Sequence, residues 1–501
     1  MAKVRQQQII TLFLIACATV FILPLTDSKT VLAADDCACS NNFEEIGHSD
    51  LSVNGPVREY SKLSPWPRTD GEYLYTGCYP PQRCFMVVDL KNKANPKPAA
   101  TIYPYDPVKS PPPPPGDPRW AEKKPLNDWD PGWNTHTHFV AYHSNLLVVN
   151  QERYRFGSRN QEHYRGIKVY DVDDRNNPKF LSYYELPGKG SGAHHFFFDG
   201  RYVYLGGEYE GFIGKILVIV DLKDPKNPFE VGKWWVPGQK ENEGAFRDWI
   251  PTAHPFQYIT WGKTDSGNWL PKKHVGMHYV EVVGNRAYLS YHQAGLIILD
   301  ITDKSRPRFV SRLDYHVLPE PAHKNLESRH AGNTHSTRLA PGRNLLAVSD
   351  EFGDCPFGWV RFVDISDETK PEIISEFKLP ENSCPGYDAS GNGSSTHIGN
   401  FFNNNLLFQA WYNRGLRVID ISDPYEPVEV GYYVPPDIGL WEGIGGGFDA
   451  APGGKMIKEY RDYIYSYDVI FGQDGLIYLT DGEGGGLRVL RYTGPGIGTE
   501  D

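Results

Sequence analysis

Short apolar runs rich in β-branched residues recur along the chain, each ending in aspartate, and long amphipathic Ala/Leu/Glu/Lys stretches are missing, so the pattern predicts strands joined by turns. Six runs share one spacing: FMVVD, IKVYD, LVIVD, LIILD, VRFVD and LRVID end at Asp89, Asp171, Asp221, Asp300, Asp364 and Asp420. A proline follows each after seven residues, at Pro96, Pro178, Pro228, Pro307, Pro371 and Pro427. The aspartate is expected to accept hydrogen bonds from backbone N–H groups of the turn, and the proline to preset φ where the next strand begins. These positions therefore read as scaffold.

Two further strand-like runs precede each copy, as in HYVEVVGNRAYLSYHQAG before LIILD, so each unit has four strands, A to D. Such a unit is a propeller blade. A seventh unit, DVIFGQDGLIYLTDGEGGGLRVLRY, supplies A, B and C but ends at Tyr492 without a fourth strand. NNFEEIG at Asn41–Gly47 resembles the D strand NPFEVG at Asn227–Gly232, so the N-terminal segment is expected to complete the last blade and leave no free sheet edge. The expected fold is all-β: a seven-bladed propeller of four-stranded antiparallel blades. On these repeats, from about residue 42 to 492, the chain resembles the LVIVD-repeat β-propeller family, whose literal motif stands at Leu217–Asp221. The resemblance implies the fold; the family is largely uncharacterised and brings no settled activity.

Composition agrees with strands and turns: the 501 residues include 50 Gly, 40 Pro, 31 Tyr, 24 Phe and 12 Trp. A formal charge of −11 argues against a nucleic-acid partner, which would need clustered Lys and Arg. The first residues, MAKVRQQQ, are basic, an apolar run covers Ile9–Leu25, and VLAA follows, which predicts a secretory signal over 1–34 cleaved after Ala33 or Ala34. Two alternatives stay open: lipoprotein attachment at Cys17 and a retained anchor. Residues 35–501 are then expected to form a single periplasmic or extracellular propeller domain with no membrane span. An oxidising compartment favours disulfides among Cys37, Cys39, Cys78, Cys84, Cys355 and Cys384, with Cys78–Cys84 and Cys355–Cys384 as the expected pairs. Cys37 and Cys39 read either as an N-terminal staple or as a metal or redox pair. Asn392-Gly-Ser is a glycosylation sequon only in an exporting eukaryotic host.

The histidines carry the chemical signal. Alignment of the units places His136, His278, His335 and His397 at or beside the start of strand A, with His194 and His195 equivalent, so blades 2 to 6 each bring imidazole to the innermost strand. The ends of the B strands lie beside these starts, and they carry Glu152, Glu208, His292, Asp350, Glu351, Tyr412 and Asp481, while Asp468 stands at the A-strand position of the blade that lacks histidine. His136, His194, His278, His335 and His397 are the candidate ligands of a transition metal, copper, iron or zinc. Glu152, Glu208, Glu351, Asp468 and His292 are the candidates for acid–base work on a small-molecule substrate, by oxidation or by a lyase or hydrolase step. Propellers such as the iron carotenoid oxygenases show that inner-strand histidines can hold a metal, an analogy of architecture alone. Arg153, Tyr154, Trp411, Arg414 and Trp441 read either as substrate contacts or as surface packing. Three alternatives also remain: histidine reused as a structural hydrogen-bonding residue within each blade, a non-catalytic propeller presenting its loops to a protein or glycan, and a metal-free lyase or hydrolase using His and Tyr. No G-x-S-x-G or H-E-x-x-H motif occurs.

Overall fold

The computed structural model describes residues 38–40, 42–51, 68–78, 84–104, 134–153, 162–241, 276–292, 294–313, 333–351, 357–383, 395–436, 466–481 and 485–497, Glu243, and the backbone of 260–263 and 269–272. The expected signal segment, Cys37, Cys355, Cys384, Tyr154, Trp441 and the sequon lie outside these residues.

Seven four-stranded antiparallel sheets follow one another along the chain. Their strands in A-to-D order are, for blade 1, Arg68–Thr69, Tyr73–Gly77, Phe85–Asp89 and Lys97–Ile102. Blade 2 has a divided strand A, Thr135–His136 and Val140–His143, then Leu146–Arg153, Gly166–Asp171 and Lys179–Glu185. Blade 3 runs Ala193–Phe198, Tyr202–Glu208, Lys215–Asp221 and Phe229–Trp234. Blade 4 comprises Tyr279–Val283, Arg286–Ser290, Leu296–Asp300 and Arg308–Leu313. In blade 5 the strands are Thr334–Leu339, Leu345–Asp350, Val360–Asp364 and Glu372–Phe377. Those of blade 6 are Thr396–Phe401, Leu406–Trp411, Gly415–Asp420 and Val428–Val434. Blade 7 takes Ser466–Phe471, Ile477–Asp481 and Gly486–Tyr492 from the C-terminal end, and its fourth strand, Phe43–Ser49, from the N-terminal end.

The repeated aspartate does what its position predicts. Its Oδ1 accepts from the backbone N–H two residues on in all six copies, at Lys91, Asp173, Lys223, Thr302, Ser366 and Ser422, with distances of 2.6–2.9 Å. Strand D starts at the residue after the repeat proline in every copy.

The ring closes as the N-terminal pattern predicts, since Phe43–Ser49 pairs antiparallel with Tyr492–Leu487. The seam between blades 7 and 1 repeats an ordinary blade contact: a Cβ on Gly47 would stand 2.2 Å from the Lys93 carbonyl oxygen, as one on Gly232 would stand 2.3 Å from that of Lys304. Where D strands carry serine instead, its hydroxyl donates to the same kind of turn carbonyl, as Ser375 does to Pro424 at 2.5 Å. Two short features lay beyond the sequence pattern. Ala38–Cys39 adds an outer strand to blade 6, and Thr260–Lys263 pairs with Trp269–Lys272 as a separate hairpin.

Buried aliphatic and aromatic side chains pack between neighbouring sheets, as where Ile167, Val169, Phe196, Val203 and Val218 meet between blades 2 and 3. This layer holds the inner strands rigid around the axis. Cys78 and Cys84 are joined by a disulfide, which fits an oxidising compartment. Among the described residues no helix is long and apolar enough to cross a membrane.

Candidate metal centre

Strand A changes register at its start in several blades: between Ala193 and Phe196, Thr334 and Ser336, Thr396 and Gly399, and Ser466 and Asp468. Such bulges re-aim a side chain without ending the ladder. Each of these breaks spans the position that carries His194 and His195, His335, His397 or Tyr467. In blade 2 the break is wider and lies between the two parts of strand A, where the Asn150 side chain fills it by accepting from His138 N at 2.9 Å and Phe139 N at 2.8 Å.

With His278 and His292 of blade 4, whose A–B ladder has no such break, these strand starts gather eight imidazoles into one continuous cluster. Ring centroids lie 4.8 Å apart for His136 and His138, 4.6 Å for His138 and His194, 4.0 Å for His194 and His195, and 4.1 Å for His195 and His278. The series continues from His278 to His335 at 3.9 Å and from His335 to His397 at 4.5 Å, with His292 placed 4.8 Å from His278. All five candidate ligands are thus brought together, and His292 with them. His195, aligned beside His194 but not among the candidate ligands, joins as a full member, and so does His138, which the repeat alignment had not singled out. The HTH and HH spellings were the available signal, but only the bulges decide that adjacent or alternate residues face the same way.

Hydrogen bonds fix the tautomers. His195 Nδ1 donates to the His278 carbonyl at 2.9 Å, His278 Nδ1 to the His335 carbonyl at 3.0 Å, and His397 Nδ1 to the Tyr467 carbonyl at 2.8 Å. A carbonyl only accepts, so the proton of each neutral ring is on Nδ1 and the lone pair on Nε2. These bonds run from one blade to the next, not within a blade as a turn-stabilising role would require. His194 Nδ1 bonds instead to Glu152 Oε2 at 2.7 Å. His138 is wired the opposite way. Asn150 accepts two backbone N–H bonds with its oxygen, so its amide nitrogen donates at 3.0 Å to His138 Nδ1, placing the His138 proton on Nε2.

Burial dominates the electrostatics. It lowers the pKa of His136 to about 4 and those of His335 and His397 to about 3, and holds His138, His195 and His278 well below the usual imidazole range with help from neighbouring histidines. The rings are neutral at physiological pH, the form that ligates metals. Burial alone would raise the Glu152 carboxyl, but His194 and Lys215 outweigh it and hold the group well below the ordinary range. Lys215 Nζ lies 3.0 Å from Glu152 Oε1.

Two groupings within the cluster bring one ligand atom per residue within 4.8 Å of one another and centre on different blades: His138, His194 and His195, and His278, His335 and Glu351. A third, His136, His138 and Glu152, overlaps the first. Glu351 Oε2 lies 3.1 Å from His335 Nε2, and its Oε1 accepts from the Tyr412 hydroxyl. The set of His278, His335 and Glu351 fits a first-row transition metal, whereas His138, with Nδ1 accepting from Asn150 and its proton on Nε2, has no lone pair to add to the other two.

Other candidates lie apart. Glu208 Oε2 accepts from Ser191 N at 2.7 Å and fastens the loop before strand A of blade 3. Asp350 pairs with Arg361. Asp468 is fully buried beside Tyr467, and burial pushes its carboxyl up to about 7 against the pull of Arg338 and Arg68. Trp411 is buried core and Arg414 pairs with Glu381 at 3.2 Å, in keeping with packing roles. His48 and His163 are tied to the carbonyls of Gly485 and Gly190, as structural histidines would be.

The LVIVD repeat model matches residues 278–314 and 405–434, which cover all of blade 4 and strands B to D of blade 6, so the chain carries LVIVD repeats. No curated protein matches it. Among solved structures, the computationally designed protein Ika8 aligns at 9% identity over 89% of this chain and 100% of its own, with a TM-score of 0.45. The Cps50 (Swd1) β-propeller domain of Myceliophteria thermophila aligns at 10% identity over 87% and 98%, also with a TM-score of 0.45. Neither likeness bears on function.

Proposed function

We propose that this chain is an exported enzyme that acts on a small molecule at a transition-metal centre, copper, iron or zinc, held by the histidine cluster at the channel mouth, in an oxidation, lyase or hydrolase step. One observation carries the reading. The Nδ1 protons of His194, His195, His278 and His397 are committed to Glu152 or to backbone carbonyls, so these crowded rings present Nε2 lone pairs to their surroundings. Metal-binding histidines are oriented in just this manner by carboxylates and carbonyls behind them. Lone pairs packed together repel, and a cation among them turns that repulsion into binding.

His278, His335 and Glu351 would hold an ion, and His194 and His195 belong to a second grouping that could hold one. Bound there, a metal supplies a Lewis acid that polarises a substrate carbonyl or lowers the pKa of a water. Glu152 keeps His194 in its ligating tautomer, and Lys215 keeps Glu152 ionised. With Glu351 ligating through Oε2, its Oε1 would hold the Tyr412 hydroxyl in place as the group that moves a proton at the mouth. His138, wired by Asn150, offers an Nε2–H as a fixed donor.

Metal analysis of the purified mature protein tests the reading. Stoichiometric copper, iron or zinc, lost in His278→Ala, is expected; absence of metal together with unchanged stability in chelator would sink it. The Tyr412–Glu351–His335 relay also supports a metal-free acid–base enzyme, and turnover that survives complete metal removal would favour that alternative.

A further inference from the structure

Inner strands run from the histidine level deeper into the channel, and three residues after His278 and His335 come Glu281 and Arg338. At this level lies a cavity of about 310 Å³ lined by inner-strand residues of six blades, among them Arg68, Tyr279, Glu281, Arg338 and Asn400. Two guanidinium groups, from blades 1 and 5, share it. Arg338 is held rigidly: Nε donates to the Gly399 carbonyl at 3.1 Å, Nη1 donates to Glu281 Oε2 at 3.0 Å and to the Tyr279 hydroxyl, and the Tyr279 ring lies 4.5 Å from Cζ. Arg68 Cζ lies 5.7 Å from the Phe139 ring centroid. The remaining wall includes Thr69, Phe197, Ile470 and Phe471.

The formal count of two cations facing two acids, Glu281 and Asp468, overstates the neutralisation. Asp468 is buried and Glu281, paired with Arg338 at 3.0 Å, is half-buried, and loss of solvent pushes Glu281 up to about 8 and Asp468 to about 7. The arginines stay charged although burial lowers the proton affinity of both, that of Arg338 to about 10 with a further contribution from Arg68. The chamber thus holds excess positive charge in a space large enough for a small solute.

We propose that Arg68 and Arg338 form an anion-binding site in the channel, beyond the histidine cluster, that takes a small oxyanion or carboxylate. The planar guanidinium fork matches such groups by paired N–H donors. Asn400 and Tyr279 add neutral polar groups to the lining. The site stands on its own geometry and does not require a metal at the histidines.

Calorimetric titration of the mature protein, stripped of metal by chelator and at constant ionic strength, with inorganic phosphate and separately with acetate tests the proposal. Saturable binding of at least one anion is expected, weakened about tenfold or more in Arg68→Gln; comparison of the two anions shows which source of oxygens the site prefers. Arg338→Gln also removes the bonds to Glu281 and Gly399 and can fail to fold, so Glu281→Gln provides the second arm. Above about pH 8, where Glu281 ionises, the substitution removes a competing negative charge and is expected to tighten binding several-fold. No saturable binding of either anion to the stripped protein, equal binding by folded Arg68→Gln, or weaker binding by folded Glu281→Gln overturns the proposal.

Discussion

His278 Nδ1 lies 3.0 Å from the carbonyl oxygen of His335, the residue that holds its own position in the next blade. The bond fastens blade 4 to blade 5 and at the same time decides which nitrogen of His278 carries the lone pair. Structure and chemistry are therefore coupled at one atom. His278→Ala is expected to leave the His335 carbonyl buried and unbonded, which costs about 1–3 kcal/mol. Chemical denaturation would register that loss, and metal analysis of the same sample would show the ion gone. A variant that loses stability but keeps its full metal content would place His278 outside the centre.

Glu152 and Glu208 end the B strands of adjacent blades but act differently, one on His194 at 2.7 Å and the other on Ser191 N at 2.7 Å. Glu152→Gln is expected to weaken metal binding about 10–100-fold, because it removes the acceptor that orients His194. Glu208→Gln should leave affinity unchanged. A competition titration with a chromophoric chelator compares the two, and equal affinities would remove Glu152 from its positioning role.

Gly47 permits the close approach of the N-terminal strand to the first turn of blade 1, since any Cβ would stand 2.2 Å from Lys93 O. Gly47→Ala is expected to force the seam apart and cost about 1–3 kcal/mol. Urea unfolding would show the midpoint fall, while Gly71→Ala, which meets no neighbouring atom but takes on a strained φ of +96°, reports the cost of backbone strain without a clash. A smaller loss at Gly47 than at Gly71 would mean that the seam is not tightly packed.

Glu281 binds its proton more tightly in the folded chain than its ordinary value of 4.5, holding it up to about 8. Between these values the folded state carries more protons than the unfolded one, so stability falls as pH rises from about 4.5 to about 8 and levels off above. Asp468 acts in the same sense up to about 7. Glu281→Gln should flatten the decline measured by denaturation at stepped pH; an unchanged slope would show that Glu281 titrates normally.

The propeller was legible in the sequence because its information is local and repeated. Asp89 to Pro96 and the five later copies each specify a turn through bonds that span two residues, and Phe43–Ser49 shows its partner by resembling another D strand. The face that would gather histidine was legible too, since strand order in a blade fixes which ends share a mouth. What the sequence could not decide was orientation at the level of single side chains. His138 and His195 enter the cluster because bulges break the period-two alternation at the starts of their strands, and a one-residue shift there exchanges inside for outside. Glu152 and Glu208 look equivalent along the chain and separate only in three dimensions. Arg68 and Arg338, 270 residues apart in the chain, line one cavity, and the protons on His195, His278 and His397 depend on carbonyls supplied by the next blade. Local turn chemistry determines the ring; long-range packing determines what faces its centre.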